Sequence, residues 1–306
     1  MKRLLSPALA ALLLSACQSP PTRSTAGAAA LLSPMPTAGE YDNHEQVWAA
    51  LGGGGAASPA HVVVAVEAID RDWMVWRVHF DAAQAMDATW AFRRTDATTW
   101  LPHRATIAQP GIGKNFDATQ WTPLDACALR GTSAALVRAD AAACSAIVPG
   151  LGAQAALLPI AFQTEGEWLR VRLYADQARG PDARSEARRV AWFGGWTAIN
   201  GGGPGAAADS ADWHMDRNVR LGSEGGRAPL LWRDGKRSGY SLTLERLTYR
   251  DGNVPVLKPS VVDDAGGGTL AYAWANPEAT RIGLNLGWVQ VGLERGGAAA
   301  IRPGSP

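Results

Sequence analysis

Long hydrophobic runs, uncompensated charge and cysteine are all scarce in this chain, and each shortage excludes something. The apolar stretch at the start, Leu4 to Leu14, holds eleven residues, and a membrane-spanning helix needs about 20. It does not read as a transmembrane anchor. Lysine and arginine number 29 against 28 aspartate and glutamate, for a net charge of +1. Nucleic-acid binding demands clustered, uncompensated Lys and Arg, so no nucleic-acid partner is expected. The most basic run, Arg184 to Arg189, is interrupted by Ser185, Glu186 and Ala187 and reads as a solvated loop. Five histidines, His44, His61, His79, His103 and His214, are scattered without ligand spacing. With no CxxC pair and no Gly-x-Ser-x-Gly elbow, no metal site, cofactor or catalytic residue is expected. The Asp263-Asp264 pair sits in a glycine-rich turn, where aspartate belongs on backbone grounds.

What the amino terminus does contain is a basic start, Met1-Lys2-Arg3, a short apolar core, and Leu14-Ser15-Ala16-Cys17. That is the pattern of a secretory signal, and its last four residues resemble a bacterial lipobox. The resemblance implies cleavage before Cys17, a diacylglycerol thioether on Cys17 and acylation of the new amino terminus. One chain anchors only marginally, and two or three hold effectively permanently. Gln18, in place of an aspartate, implies sorting to the outer membrane of a Gram-negative bacterium, facing the periplasm. Of three cysteines, Cys127 and Cys144 then remain in a compartment that permits disulfides. An even remainder fits a bridge; two buried thiols or a metal pair are the alternatives, and no CxxC or nearby His-x-x-His supports metal.

Segment by segment, residues 1–16 read as the signal peptide and 17–38, rich in Pro, Ser, Thr and Ala, as a lipid-anchored flexible tether reaching about 25 Å. Glycine and alanine runs at Gly52 to Ala57 and Gly201 to Ala208 read as loops. Between them the pattern is period two. His61 to Ile69, Trp73 to Phe80, Trp168 to Tyr174, Tyr240 to Tyr249, Val254 to Val262, Leu270 to Ala275 and Ile282 to Leu293 are expected strands. Turn chemistry separates them, as at Arg233-Asp234-Gly235 and Asn276-Pro277. Helix is expected only over Glu45 to Leu51 and parts of Leu136 to Ile147. The fold class is mainly β and antiparallel, with a first domain over 39–190, a second β domain, sheet or sandwich, over 191–296, and a disordered tail over 297–306.

Thirteen tryptophans exceed the five tyrosines and five phenylalanines together. Tryptophan lines ligand cavities as readily as it fills cores. Trp73, Trp76 and Trp90, in a stretch with Arg77, Arg93 and Arg94, suit either core plugs with the arginines facing water or a site that holds a planar anionic ligand by stacking and cation–π contact.

The stretch Gly39-Glu40-Tyr41-Asp42-Asn43-His44-Glu45-Gln46-Val47 resembles the opening motif of the CpcT/CpeT chromophore lyase family. Trp121 to Cys127, then Cys144, Leu158-Pro159 and Trp168-Leu169 follow that family's order, so the resemblance spans about residues 39 to 180. It implies an antiparallel calycin-like barrel with a cavity, Tyr41, Asn43 and Gln46 in its opening motif, and help in attaching a bilin to protein. The family's Tyr-x-x-x-x-Pro-Tyr-Arg-x-Arg region has no clean counterpart; Trp100 to Arg104 comes nearest. The expected role is therefore non-catalytic binding of a small apolar or planar ligand, or of an envelope protein, by a lipid-anchored protein. Tyr41, Asn43, Gln46, Trp73, Trp76, Trp90 and Arg93 are its candidate ligand residues. A bilin lyase and a purely structural envelope protein are the alternatives.

Overall fold

The computed structural model describes residues 36–51, 59–81, 85–131, 136–249 and 254–296. The signal peptide, Cys17, the tether up to residue 35, the Gly52 to Ala57 run and the tail 297–306 lie outside the described residues. Strands dominate, as the alternation requires. Eleven occupy residues 39 to 189: β1 (Gly39–Asp42), β2 (His61–Ala68), β3 (Trp73–Asp81), β4 (Met86–Arg94), β5 (Thr99–Ala105), β6 (Trp121–Pro123), β7 (Leu129–Gly131), β8 (Leu136–Arg138), β9 (Pro159–Glu165), β10 (Trp168–Leu173) and β11 (Ser185–Arg189). All pair antiparallel, each with its neighbours in sequence except that β7 pairs with β5 and not with β6, and β11 returns to β1 through Tyr41↔Arg189 and Asp42↔Arg188. Ten strands thus close a barrel, with β6 hydrogen-bonded to β5 beside β7. Closure removes the exposed sheet edges that an open sheet must protect.

Period two decides what the barrel holds. Val62, Val64 and Val66 from β2, Met74, Trp76 and Val78 from β3, and Ala88, Trp90 and Phe92 from β4 all join one interior core, because alternate residues of a strand face the same side. A chain of 3-10 turns, Val148–Leu157, contributes Val148, Ala155 and Leu157 to that core. The interior is packed rather than open.

Past Val190 the chain leaves the barrel and forms β12 (Trp192–Asn200), β13 (Trp213–Gly222), β14 (Glu224–Leu231), β15 (Arg237–Tyr249), β16 (Val254–Asp263), β17 (Thr269–Tyr272), β18 (Arg281–Asn285) and β19 (Val289–Arg295). They make two four-stranded antiparallel sheets, ordered β13-β12-β19-β18 and β14-β15-β16-β17. The sheets share one apolar core, with Phe193, Ile199 and Leu221 from the first meeting Leu230, Leu242, Leu244 and Val261 from the second. Barrel and sheets belong to the same compact unit.

Two local expectations differ from the structure, and a third, helix over parts of Leu136 to Ile147, is met by one short helix. Ile282 to Leu293 is not one strand: Leu286-Gly287-Trp288 turns between β18 and β19, with Gly287 at φ +83° and its N–H donated to the Asn285 side chain at 3.0 Å. That backbone conformation suits glycine. Leu136 to Ile147 divides into β8 and a short helix α2 (Ala141–Ser145), started by the Asp140 carboxylate, which accepts from Ala142 and Ala143 N–H. The basic run Arg184 to Arg189 is largely strand β11, not a solvated loop, and Arg188 is buried.

Candidate functional site

The motif residues Tyr41, Asn43 and Gln46 come together as a latch. Tyr41 points into the barrel core, its hydroxyl donating to the Thr37 carbonyl at 2.8 Å. Asn43 is fully buried; its amide donates to Gln46 Oε1 and to the Ala60 carbonyl, and its Oδ1 accepts from Val62 N–H at 2.7 Å. Gln46 lies in the helix we label α1 (His44–Leu51) and joins it to the barrel, donating to the Arg184 carbonyl and accepting from Glu186 N–H. Buried polar groups are held by partners of this kind, and here every partner is the protein itself. Gln46 also borders a surface cleft of about 570 Å³ shared with Arg179, Arg184 and Glu186. Its arginines are compensated, Arg179 by Asp176 at 3.4 Å and Arg184 by Glu186 at 3.0 Å.

The tryptophans separate by parity. Trp76 and Trp90 are register partners on β3 and β4 and point inward, with 0% and 1% exposure. Trp76 meets Phe92 and Phe162 at 5.1 Å each, and the Trp90 indole N–H donates to the Leu157 carbonyl at 3.1 Å. Trp73 points outward, packed against His103 at 4.7 Å and Phe116 at 5.1 Å, with the Arg93 guanidinium 5.9 Å from its ring. That outer contact belongs to a small second core of Val75, Ala91 and Trp121. The seven candidate ligand residues therefore do not converge on one cavity. Cys127 and Cys144 are joined by a disulfide across a separation of 17 residues. In the chain-entropy account a loop of that size contributes about 3 kcal/mol.

Helix α1 also joins the barrel to the second sheet, and there the chain places charges that sequence patterning gave no reason to link. Arg188 of β11 contacts Glu45 of α1 and lies 3.5 Å from Glu224 of β14. Its guanidinium stacks 4.5 Å from the Trp168 ring. All three charged side chains are largely out of water. A β-bulge at Gly225, φ +78°, shifts the register between Glu224 and Gly226; a Cβ there would strike the His44 ring at 2.6 Å. Extra residues of this type re-aim a neighbouring side chain. Burial pushes the Glu224 carboxyl up to about 7 against the pull of Arg188 and of the Ser223 hydroxyl.

A pH dependence follows. Unfolded, Glu224 ionises near 4.5, while folded it keeps its proton to about 7. Between these values the folded state holds a proton that the unfolded chain has released, so its contribution to stability is complete below about 4.5 and is lost as pH rises through about 7. The full loss is on the order of 3 kcal/mol. His61, raised by its hydrogen bond to Asp42, acts in the same direction. In urea denaturation across this range, wild type is expected to lose stability relative to Glu224→Gln. A constant gap between the two proteins contradicts the buried-carboxyl reading.

One surface feature was missed in the sequence. On the outer face of the β14–β17 sheet four rings touch in succession: Trp48 and Tyr249 at 5.6 Å, Tyr249 and Trp274 at 4.9 Å, Trp274 and Tyr272 at 5.1 Å. Trp274 is 48% and Tyr272 53% exposed. The Lys258 ammonium lies 5.6 Å from the Tyr272 ring and 3.3 Å from Glu245, which His44 also contacts at 3.2 Å. The available signal was the alternation Ala271-Tyr272-Ala273-Trp274-Ala275, which sends Ala273 and Ala275 to the core and both rings to the other side.

No described cluster of three or more His, Cys, Asp or Glu side chains is arranged to hold a metal ion, and no described helix is long and apolar enough to cross a membrane. No family model matches this chain, and no curated protein and no solved structure is significantly similar to it.

Proposed function

We propose that this chain is a lipoprotein, anchored through Cys17 to the outer membrane on its periplasmic side, that binds a ligand or envelope partner on its outer surface without turning it over. The observation that carries the surface assignment is the filled interior, where Trp76, Trp90, Phe92 and Phe162 occupy the space that a calycin-like barrel would offer a ligand. A bilin-handling role draws less support for the same reason. A purely structural envelope role is favoured by the filled lumen too, and the half-exposed Trp274 and Tyr272 weigh against it, since contiguous exposed aromatic surface commonly marks a binding site.

Mass spectrometry of the protein purified from its own host's membranes tests the anchor. The expected amino terminus is Cys17 carrying a diacylglycerol and an amide-linked acyl chain. An unmodified Cys17, or a chain that retains Met1, contradicts it.

A further inference from the structure

The aromatic row lies on a mixed sheet face, where the exposed Leu270 and Val254 flank the rings and polar side chains are interleaved with them. The ladder β15–β16 places Thr243 opposite Ser260 and Glu245 opposite Lys258, and β16–β17 places Tyr272 opposite Ser260. Register partners share a face, so hydroxyl and charged groups lie directly beside the rings. Ser260 is 1% exposed, and its hydroxyl has no hydrogen-bond partner among the described residues. That burial puts the hydroxyl out of a surface ligand's reach, so the polar groups available on this face are Lys258 and Glu245.

We propose that this face binds a neutral, β-linked glycan, with Trp274 and Tyr272 as the rings that its C–H faces contact and Lys258 and Glu245 as the polar partners of its hydroxyls. The proposal rests on the surface-binding reading above and names its ligand class. Ring faces carry the negative part of the aromatic quadrupole, which suits the polarised C–H bonds on the apolar side of a pyranose. Spacings of 4.9 to 5.6 Å between successive rings are close to the advance of one sugar in an extended β-linked chain. Successive rings are tilted by 64 to 89°, so a sugar stacked on one ring face meets the next ring edge-on.

Charge argues for a neutral ligand. Glu245 is shared by Lys258 and His44, so the flank presents donors and acceptors of both signs without an excess. Lys258 and Glu245 keep 18% and 19% of their side-chain surface in water, and sugar hydroxyls can bond those exposed atoms where an aliphatic surface cannot.

The full chain in processed form, held in detergent, is titrated calorimetrically with chitohexaose and with cellohexaose. Saturable binding to either sugar is expected, weakened at least tenfold in Trp274→Ala and unchanged in Met215→Ala, which alters a half-exposed side chain on β13 of the other sheet. Unchanged thermal melting of Trp274→Ala excludes unfolding as the cause. Absence of binding to both sugars, or equal affinity in Trp274→Ala, overturns the glycan assignment. A photo-crosslinker at the exposed Leu270 separates the two levels. If it captures a protein in intact cells and no sugar binds, the ligand class is wrong and surface binding survives; if neither occurs, both readings fall.

Discussion

Replacing Trp76 by alanine lowers the stability of the folded chain by about 3–5 kcal/mol, the range for truncating a buried tryptophan, and drops the thermal midpoint by on the order of 10 °C. Trp76 has 0% exposure, packs on Phe92 and Phe162 and faces Trp90 across the β3–β4 ladder. Its indole N–H points at the Met74 sulfur at 2.9 Å. No neighbour can follow the lost ring without breaking the ladder, so a cavity remains, and the cavity adds to the lost transfer free energy. Trp274→Ala supplies the contrast. Its ring is half in water, and surface changes of that kind lie within about 0.5 kcal/mol. Urea denaturation of both variants is the measurement; similar small losses would mean that the barrel has room inside.

Arg188→Ala is the second large effect, again about 3–5 kcal/mol, because removing one partner of a buried ion set strands the others. The change leaves Glu45 and Glu224 facing each other with no cation and removes the cation–π contact with Trp168. Lowering the pH through the Glu224 range restores part of the loss, since a protonated carboxyl needs no counter-charge. Replacing the set together, Arg188→Met with Glu45→Leu and Glu224→Leu, is expected to recover most of the stability, because apolar isosteres of a buried ion set are often neutral or better. A triple variant no more stable than Arg188→Ala would show that these groups are held by something other than their mutual charge.

Strands were legible wherever alternation was strong. The inward valines of β2 and the opposite fates of Trp73 and Trp76 both follow from period two. Closure of the barrel was expected through the family resemblance alone and did not follow from period two, because β1 and β11 meet from opposite ends of the barrel sequence and neither strand advertises its partner. The Leu286 to Trp288 turn hid inside an apolar run, with only Asn285 and Gly287 as its signal. Tyr41, Asn43 and Gln46 were visible as a motif, yet a motif does not say whether its amides serve a ligand or the backbone; here they serve Val62, Ala60 and Glu186. The aromatic row and the Glu45–Arg188–Glu224 set draw on strands and a helix far apart in sequence. The packing of α1 between barrel and sheet adds Trp48 to the row and Glu45 to the charged set.

The filled barrel is the claim on which the functional reading turns, and indole hydrogen exchange tests it most directly. In tryptophan-labelled protein followed by NMR, the indole protons of Trp76 and Trp90, one aimed at Met74 sulfur and the other at the Leu157 carbonyl, are predicted to exchange only through global unfolding. Exchange as fast as that of the half-exposed Trp274 would reveal an open, wetted lumen and return the ligand site to the barrel interior.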